Sequence, residues 1–184
     1  MKRLLILLSV TFALLGCSKN DGMDHALDLR KQVQNGNGCS FYAEVTADYG
    51  DMLYTFQMEC TYSGDGILNF RVLQPENISG ISGSVSNQGG RLSFDDKMLA
   101  FELLVDGLLS PVSTPWVVMK GIDGGYISMC DYDADDLHIR LDDTYGNQPI
   151  LIDIWCSGSE PKHAEILYAG KRILSMKFEN FSFL

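Results

Sequence analysis

Three kinds of side chain in this sequence could do chemistry, and spacing decides what each amounts to. The histidines are His25, His138 and His163, and none has a cysteine, an aspartate or a second histidine at the interval a metal site uses. No Gly-x-Ser-x-Gly elbow offers a nucleophile. Glu44, Glu59 and Glu165 fall on the polar positions of strand-like segments. Two carboxylates acting on a sugar must face one cleft roughly 5 to 9 Å apart, which strand alternation works against. The run Asp131-Tyr132-Asp133-Ala134-Asp135-Asp136, with Asp142 further on, has the odd spacing of oxygen ligands in a calcium loop. Yet Asp136 stands where that loop needs glycine for its sharp turn, and strands flank it, so the run reads as a solvated turn. The residues predict no catalytic constellation, no metal and no cofactor.

Cys17 is a different matter. Met1, Lys2 and Arg3 precede an apolar run from Leu4 to Leu15, broken only by Ser9 and Thr11. Positive charge followed by about a dozen apolar residues is the layout of a signal peptide, and the run is too short to span ~30 Å of hydrocarbon. Leu14-Leu15-Gly16-Cys17 then resembles the lipobox of bacterial lipoproteins. That implies cleavage after residue 16, acylation of the Cys17 thiol and a lipid anchor at the extracytoplasmic face of a cell membrane. More than one acyl chain is needed for firm anchoring. Residues 17–23 are expected to form the lipidated cysteine and a short polar tether.

From Cys17 to Leu184 there are 168 residues, enough for one domain with a real core. Loss of Lys2 and Arg3 leaves 12 basic against 24 acidic residues, a net charge of −12 where the full chain has −10. That balance excludes nucleic acid as a partner, because phosphate binding needs clustered cations. Four further cysteines remain, Cys39, Cys60, Cys130 and Cys156, none at CxxC spacing. They are either disulfide-forming in an oxidising compartment or buried free thiols.

The elements that position these residues are mostly strands. Asp24 to Gln34 reads as a helix capped by Asp24, with Ala26, Leu27, Leu29 and Val33 on one side and Gly36 ending it. Beyond it the period becomes two. Cys39, Phe41, Ala43, Val45 and Ala47 alternate with polar residues, and after a turn at Gly50-Asp51 so do Met52, Tyr54, Phe56, Met58 and Cys60. An antiparallel hairpin puts both sets on one face. Cys39 and Cys60 share that face, and a disulfide between them is expected only if the register makes them direct partners. Further strands are predicted around Leu68–Val72, Ile81–Val85, Arg91–Phe94, Leu99–Val105, Tyr126–Cys130, Leu137–Leu141, Ile150–Cys156, Glu165–Tyr168 and Arg172–Phe183. Between Ser110 and Gly124, Pro111 and Pro115 open and Gly124-Gly125 close what reads as a short helix, with a short apolar strand as the alternative.

The sum is a mainly β (α+β) fold of one domain over residues 24–184: about ten antiparallel strands in a curved half-barrel, with the N-terminal and central helices as its lid. Phe41, Tyr54, Phe56, Met58, Phe70, Met176 and Phe178 project to one side. They form either plain core or a hydrophobic cavity that accepts an acyl chain. Long free edges would also allow a homodimer.

Several segments carry a resemblance: Phe41-Tyr42-Ala43-Glu44-Val45-Thr46-Ala47-Asp48-Tyr49-Gly50, Pro75-Glu76-Asn77-Ile78-Ser79-Gly80-Ile81, Leu109-Ser110-Pro111-Val112, Ala164-Glu165-Ile166, and Arg172 to Met176 with Asn180-Phe181. In these the chain resembles the LolA/LolB-like lipoprotein-carrier superfamily, and within it the clostridial spore-germination lipoproteins. The resemblance implies a non-enzymatic envelope lipoprotein that binds a protein partner, such as a cortex amidase used in germination. Its alternative implication is a carrier of lipid or acyl chains.

Overall fold

Helix α1 (Asp21–Asn35) begins nearly a turn before Asp24, because Asp21 and Asp24 both place negative charge in its first turn, against the positive end of the helix dipole. Residues 21–23, expected as tether, are therefore helical. The computed structural model describes residues 21–50, 52–94, 97–101, 104–105, 108–145 and 148–184. The expected leader, Cys17 and the turns at Asp51 and Gly146-Asn147 lie outside them.

Thirteen strands follow in chain order: β1 (Gly38–Asp48), β2 (Leu53–Ser63), β3 (Leu68–Gln74), β4 (Ser82–Ser86), β5 (Gly89–Phe94), β6 (Lys97–Phe101), β7 (Leu104–Val105), β8 (Leu108–Leu109), β9 (Tyr126–Asp133), β10 (Asp136–Tyr145), β11 (Gln148–Ser157), β12 (Glu160–Tyr168) and β13 (Lys171–Phe183). Between β8 and β9 stands helix α2 (Thr114–Gly124), entered through a 3-10 turn at Pro111–Ser113. The segment expected as one strand over Leu99–Val105 is split, β6 ending at Phe101 and a separate two-residue strand following.

Eleven strands make one antiparallel sheet in the order β6-β5-β4-β3-β2-β1-β13-β12-β11-β10-β9, unclosed between β6 and β9. Two meanders thus spread from a central seam where β1 pairs with β13, Cys39 opposite Phe183 and Ala47 opposite Leu174. Gly38 begins β1 at φ +119, and a Cβ there would stand 2.0 Å from the Tyr62 carbonyl oxygen; only glycine lets β1 and β2 close at this point.

Both helices lie on the apolar face, against each other. α1 covers β1, β9 and β10, and α2 covers β2, β10 and β13. α1 presents Ala26, Leu29 and Val33 inward. In α2 Thr114 to Met119, Gly121 and Ile122 are all buried, the pattern of a helix enclosed on every side. Its close approach depends on Gly121, where a Cβ would meet Ile152 Cδ1 at 2.9 Å and Leu141 Cδ1 at 3.1 Å. No described helix is long and apolar enough to cross a membrane.

Candidate functional site

The seven side chains expected to line a cavity sit on four neighbouring strands, β3, β2, β1 and β13. The register sets Phe178 and Met58 on either side of Ala43, Met176 and Phe56 on either side of Val45, and Phe41 and Phe70 on either side of Cys60. Six of the seven are buried, and Phe41 and Phe178 touch with ring centroids 5.0 Å apart. The six buried ones belong to one core cluster with Leu29, Val33, Trp116, Val117, Val118 and Met119. Trp116 is wholly buried, and its Nε1 donates to the Gly66 carbonyl at 2.9 Å. Tyr54 is the exception at 50% exposed, because its partner Ala47 lies near the last rung of the β1–β2 hairpin, at the rim of the sheet.

The same register settles the geometry of the cysteines. Cys39 pairs with Tyr62 and Cys60 with Phe41, so the two are diagonal neighbours and not the direct partners that the expected disulfide requires. All four described cysteines are buried free thiols. Burial pushes the Cys39 and Cys156 thiols up to about 12, far from the thiolate form that reacts.

The acidic run is a hairpin. Asp133 and Asp136 face each other across a two-residue turn in which Ala134 takes φ 55°, and Asp131 stands opposite His138. Among the described residues no group of three His, Cys, Asp or Glu side chains could hold a metal ion.

What alternation alone does not reveal is a cluster on the outer face of β10, β11 and β12. His138, Trp155 and His163 are successive cross-strand partners. The His138 ring stacks on Trp155 at 4.5 Å and 4°, and His163 approaches Trp155 from the next strand at 5.3 Å and 40°. One rung along, Arg140 grips Asp153 with two bonds, Nε to Oδ1 at 2.7 Å and Nη2 to Oδ2 at 2.8 Å, while His138 Nε2 lies 2.9 Å from Oδ1. Asp153 is only 4% exposed although it sits on the outer face. Burial pushes its carboxyl up, but the bonds from Arg140 and His138 outweigh that and hold it below the usual aspartate range. Glu165 continues the row, taking Arg172 at 2.7 Å and His163 at 3.3 Å, and Lys177 meets Glu44 at 2.8 Å.

A carboxylate held twice by arginine is a poor base, and what the cluster turns outward is a stack of aromatic rings. Its flat aromatic centre, framed by fixed charges, has the composition of interface hot spots. Sequence reasoning placed His138 and Arg140 outward but did not join them to Trp155 and His163. The joining depends on a bulge at Trp155/Cys156 that shifts the register by one residue.

No protein-family profile matches the chain, and no curated protein matches it by sequence. Solved structures do match. A putative outer membrane lipoprotein-sorting protein domain from Vibrio parahaemolyticus aligns with TM-score 0.52 at 11% identity, covering 89% of this chain and 92% of that one. The LolA superfamily protein NE2245 from Nitrosomonas europaea gives 0.49 at 8% identity, covering 89% and 93%. A chain of the complex between the CwlD amidase of Clostridioides difficile and the GerS lipoprotein gives 0.43 at 14% identity, covering 91% and 97%. The first of these shares the fold, an unclosed antiparallel half-barrel with two helices on its apolar face.

Proposed function

We propose that this chain, with its LolA-like fold, is a membrane-anchored envelope lipoprotein that works without catalysis by binding a protein partner through its outer face. In this reading residues 1–16 are removed, Cys17 carries the acyl chains, and one domain follows at the extracytoplasmic face. The observation that carries the reading is the packed inner wall: Trp116 and its neighbours on the second helix join the strand residues in one buried core, which favours the outer surface as what the fold offers to another molecule.

On that surface the His138–Trp155–His163 stack is the anchor, because a rigid aromatic held by ordered neighbours loses little entropy on docking. A net charge of −12 after loss of the leader favours a partner of basic character. A cell-wall amidase is the first to test, since the resemblance in the sequence implies one.

Two measurements test the proposal. Radiolabelled palmitate should appear on the wild type and vanish in Cys17→Ala; label-free wild type overturns the anchor. Capture from detergent-solubilised membranes should recover one basic envelope protein with the wild type and much less with Trp155→Ala. Recovery of none above background, recovery of a second copy of this chain alone, or native mass spectra showing a bound acyl chain in place of a partner would each overturn the docking role.

A further inference from the structure

On the opposite meander, β4 and β5 carry a hollow of a different chemistry. About 620 Å³ of open space is lined by Ser84, Ser86, Gln88, Gly89, Gly90 and Arg91, among others. A second hollow of about 380 Å³ shares Ser84 and Arg91 and continues past Ser82 and Ser93. Together they make one groove along the outer side of the two strands, of the size that small-molecule sites have.

The register explains its lining. Ser82, Ser84 and Ser86 on β4 pair with Ser93, Arg91 and Gly89 on β5, and Arg91 has Ala100 on its other side. Arg91 is therefore flanked by a hydroxyl and a methyl group, with no carboxylate as its cross-strand partner among the described residues. Among the described residues it makes no ion pair, whereas Arg140, Arg172 and Lys177 on the outer face of the other meander each hold a carboxylate. In a chain of net charge −10, an arginine with no acid partner among the described residues, in a groove of serines, offers a place for an anion.

We infer that this groove binds an anionic sugar, a sugar carrying a phosphate or a carboxylate. Arg91 would hold the oxyanion through paired N–H donors, as guanidinium groups do. The hydroxyls of Ser82, Ser84 and Ser93 make no other bond among the described residues and would meet the sugar hydroxyls. Gln88 adds an amide that both donates and accepts. The site is separate from the His138–Trp155–His163 cluster, so either can fail without the other.

The test is calorimetric titration of the purified protein with four probes: glucose 6-phosphate, glucuronic acid, glucose and inorganic phosphate. Glucose 6-phosphate and glucuronic acid should both bind, with dissociation constants on the order of 1 mM or tighter. Glucose and phosphate should each bind at least tenfold more weakly. Arg91→Ala should weaken the anionic sugars about tenfold, the worth of a charge-assisted bond. Ser84→Val should weaken them less, and Arg172→Ala should change nothing. Circular dichroism should be unaltered throughout, since Arg91 is exposed. Absence of heat with both anionic sugars overturns the inference, as does binding indifferent to Arg91→Ala. Phosphate binding as tightly as its sugar ester would reduce the groove to an adventitious ion site and overturn the sugar.

Discussion

The two meanders of this sheet share a strand pattern and differ in what lies on them. From β13 to β9 the inner face is sealed by helices and the outer face is tied down by ion pairs, with Asp153 buried beneath Arg140. At the far end of the other meander, neither described helix packs extensively on β5 and β6, and Phe94, Met98 and Leu99 are 48%, 69% and 68% exposed. Cation and carboxylate are matched on the first side, while on the second Arg91 makes no ion pair among the described residues. Alternation makes a strand in either place; cover and charge pairing decide which strands are stable framework and which remain open to others.

If that contrast is real, substitutions should cost most under the helices and least on the wing. Trp116→Ala should be the most damaging, at about 3–5 kcal/mol, because it removes the largest buried side chain and orphans the Gly66 carbonyl. Chemical denaturation should show it as a lowered midpoint with a similar slope. An intact midpoint would mean the lid is not structural.

Asp153→Asn should follow, at about 2–3 kcal/mol, since it leaves Arg140 with a neutral partner; Arg140 is a third exposed, so water softens the loss. The pH dependence has a definite sign. A carboxyl whose folded pKa is depressed contributes its stability above the unfolded value of about 3.9 and loses it as pH falls toward the folded value. Wild type should therefore lose stability on acidification below about pH 4 more steeply than Asp153→Asn, as thermal melts across that range would show.

Gly121→Val should cost about 1–3 kcal/mol by forcing α2 off Ile152 and Leu141, a smaller effect because both contacts are the ends of side chains that can turn aside. Leu99→Ser should change stability by about 0.5 kcal/mol or less, as exposed positions do. A loss as large as that of Gly121→Val would show that something covers the wing in solution.

Much of this fold is legible in the residues themselves. The parity of Cys39 to Ala47 and Met52 to Cys60 fixes which face turns inward, and prolines and glycines bracket α2 where the backbone needs them. Parity cannot say what fills the space it faces. Whether Phe41, Met58 and Phe178 bound a cavity or a core turned on Trp116, a single aromatic in a helix with no periodic signature of its own. The outer cluster was hidden for another reason. His138, Trp155 and His163 are brought together by two hairpins and a bulge, and a shift of one residue would have separated them. Burial of Asp153 is equally silent in a sequence, where it reads as one more surface acid.

The seam has a consequence for how the chain is made. β1 must wait for a strand far downstream: Glu44 and Lys177, which bridge the seam, are 133 residues apart. Until β13 arrives, one flank of β1 has no neighbour, and the two meanders have nothing to join them. Such distant pairing folds slowly. Under the proposal that the chain is exported, slowness of this kind is an advantage, since the two meanders cannot join before the last strand has crossed.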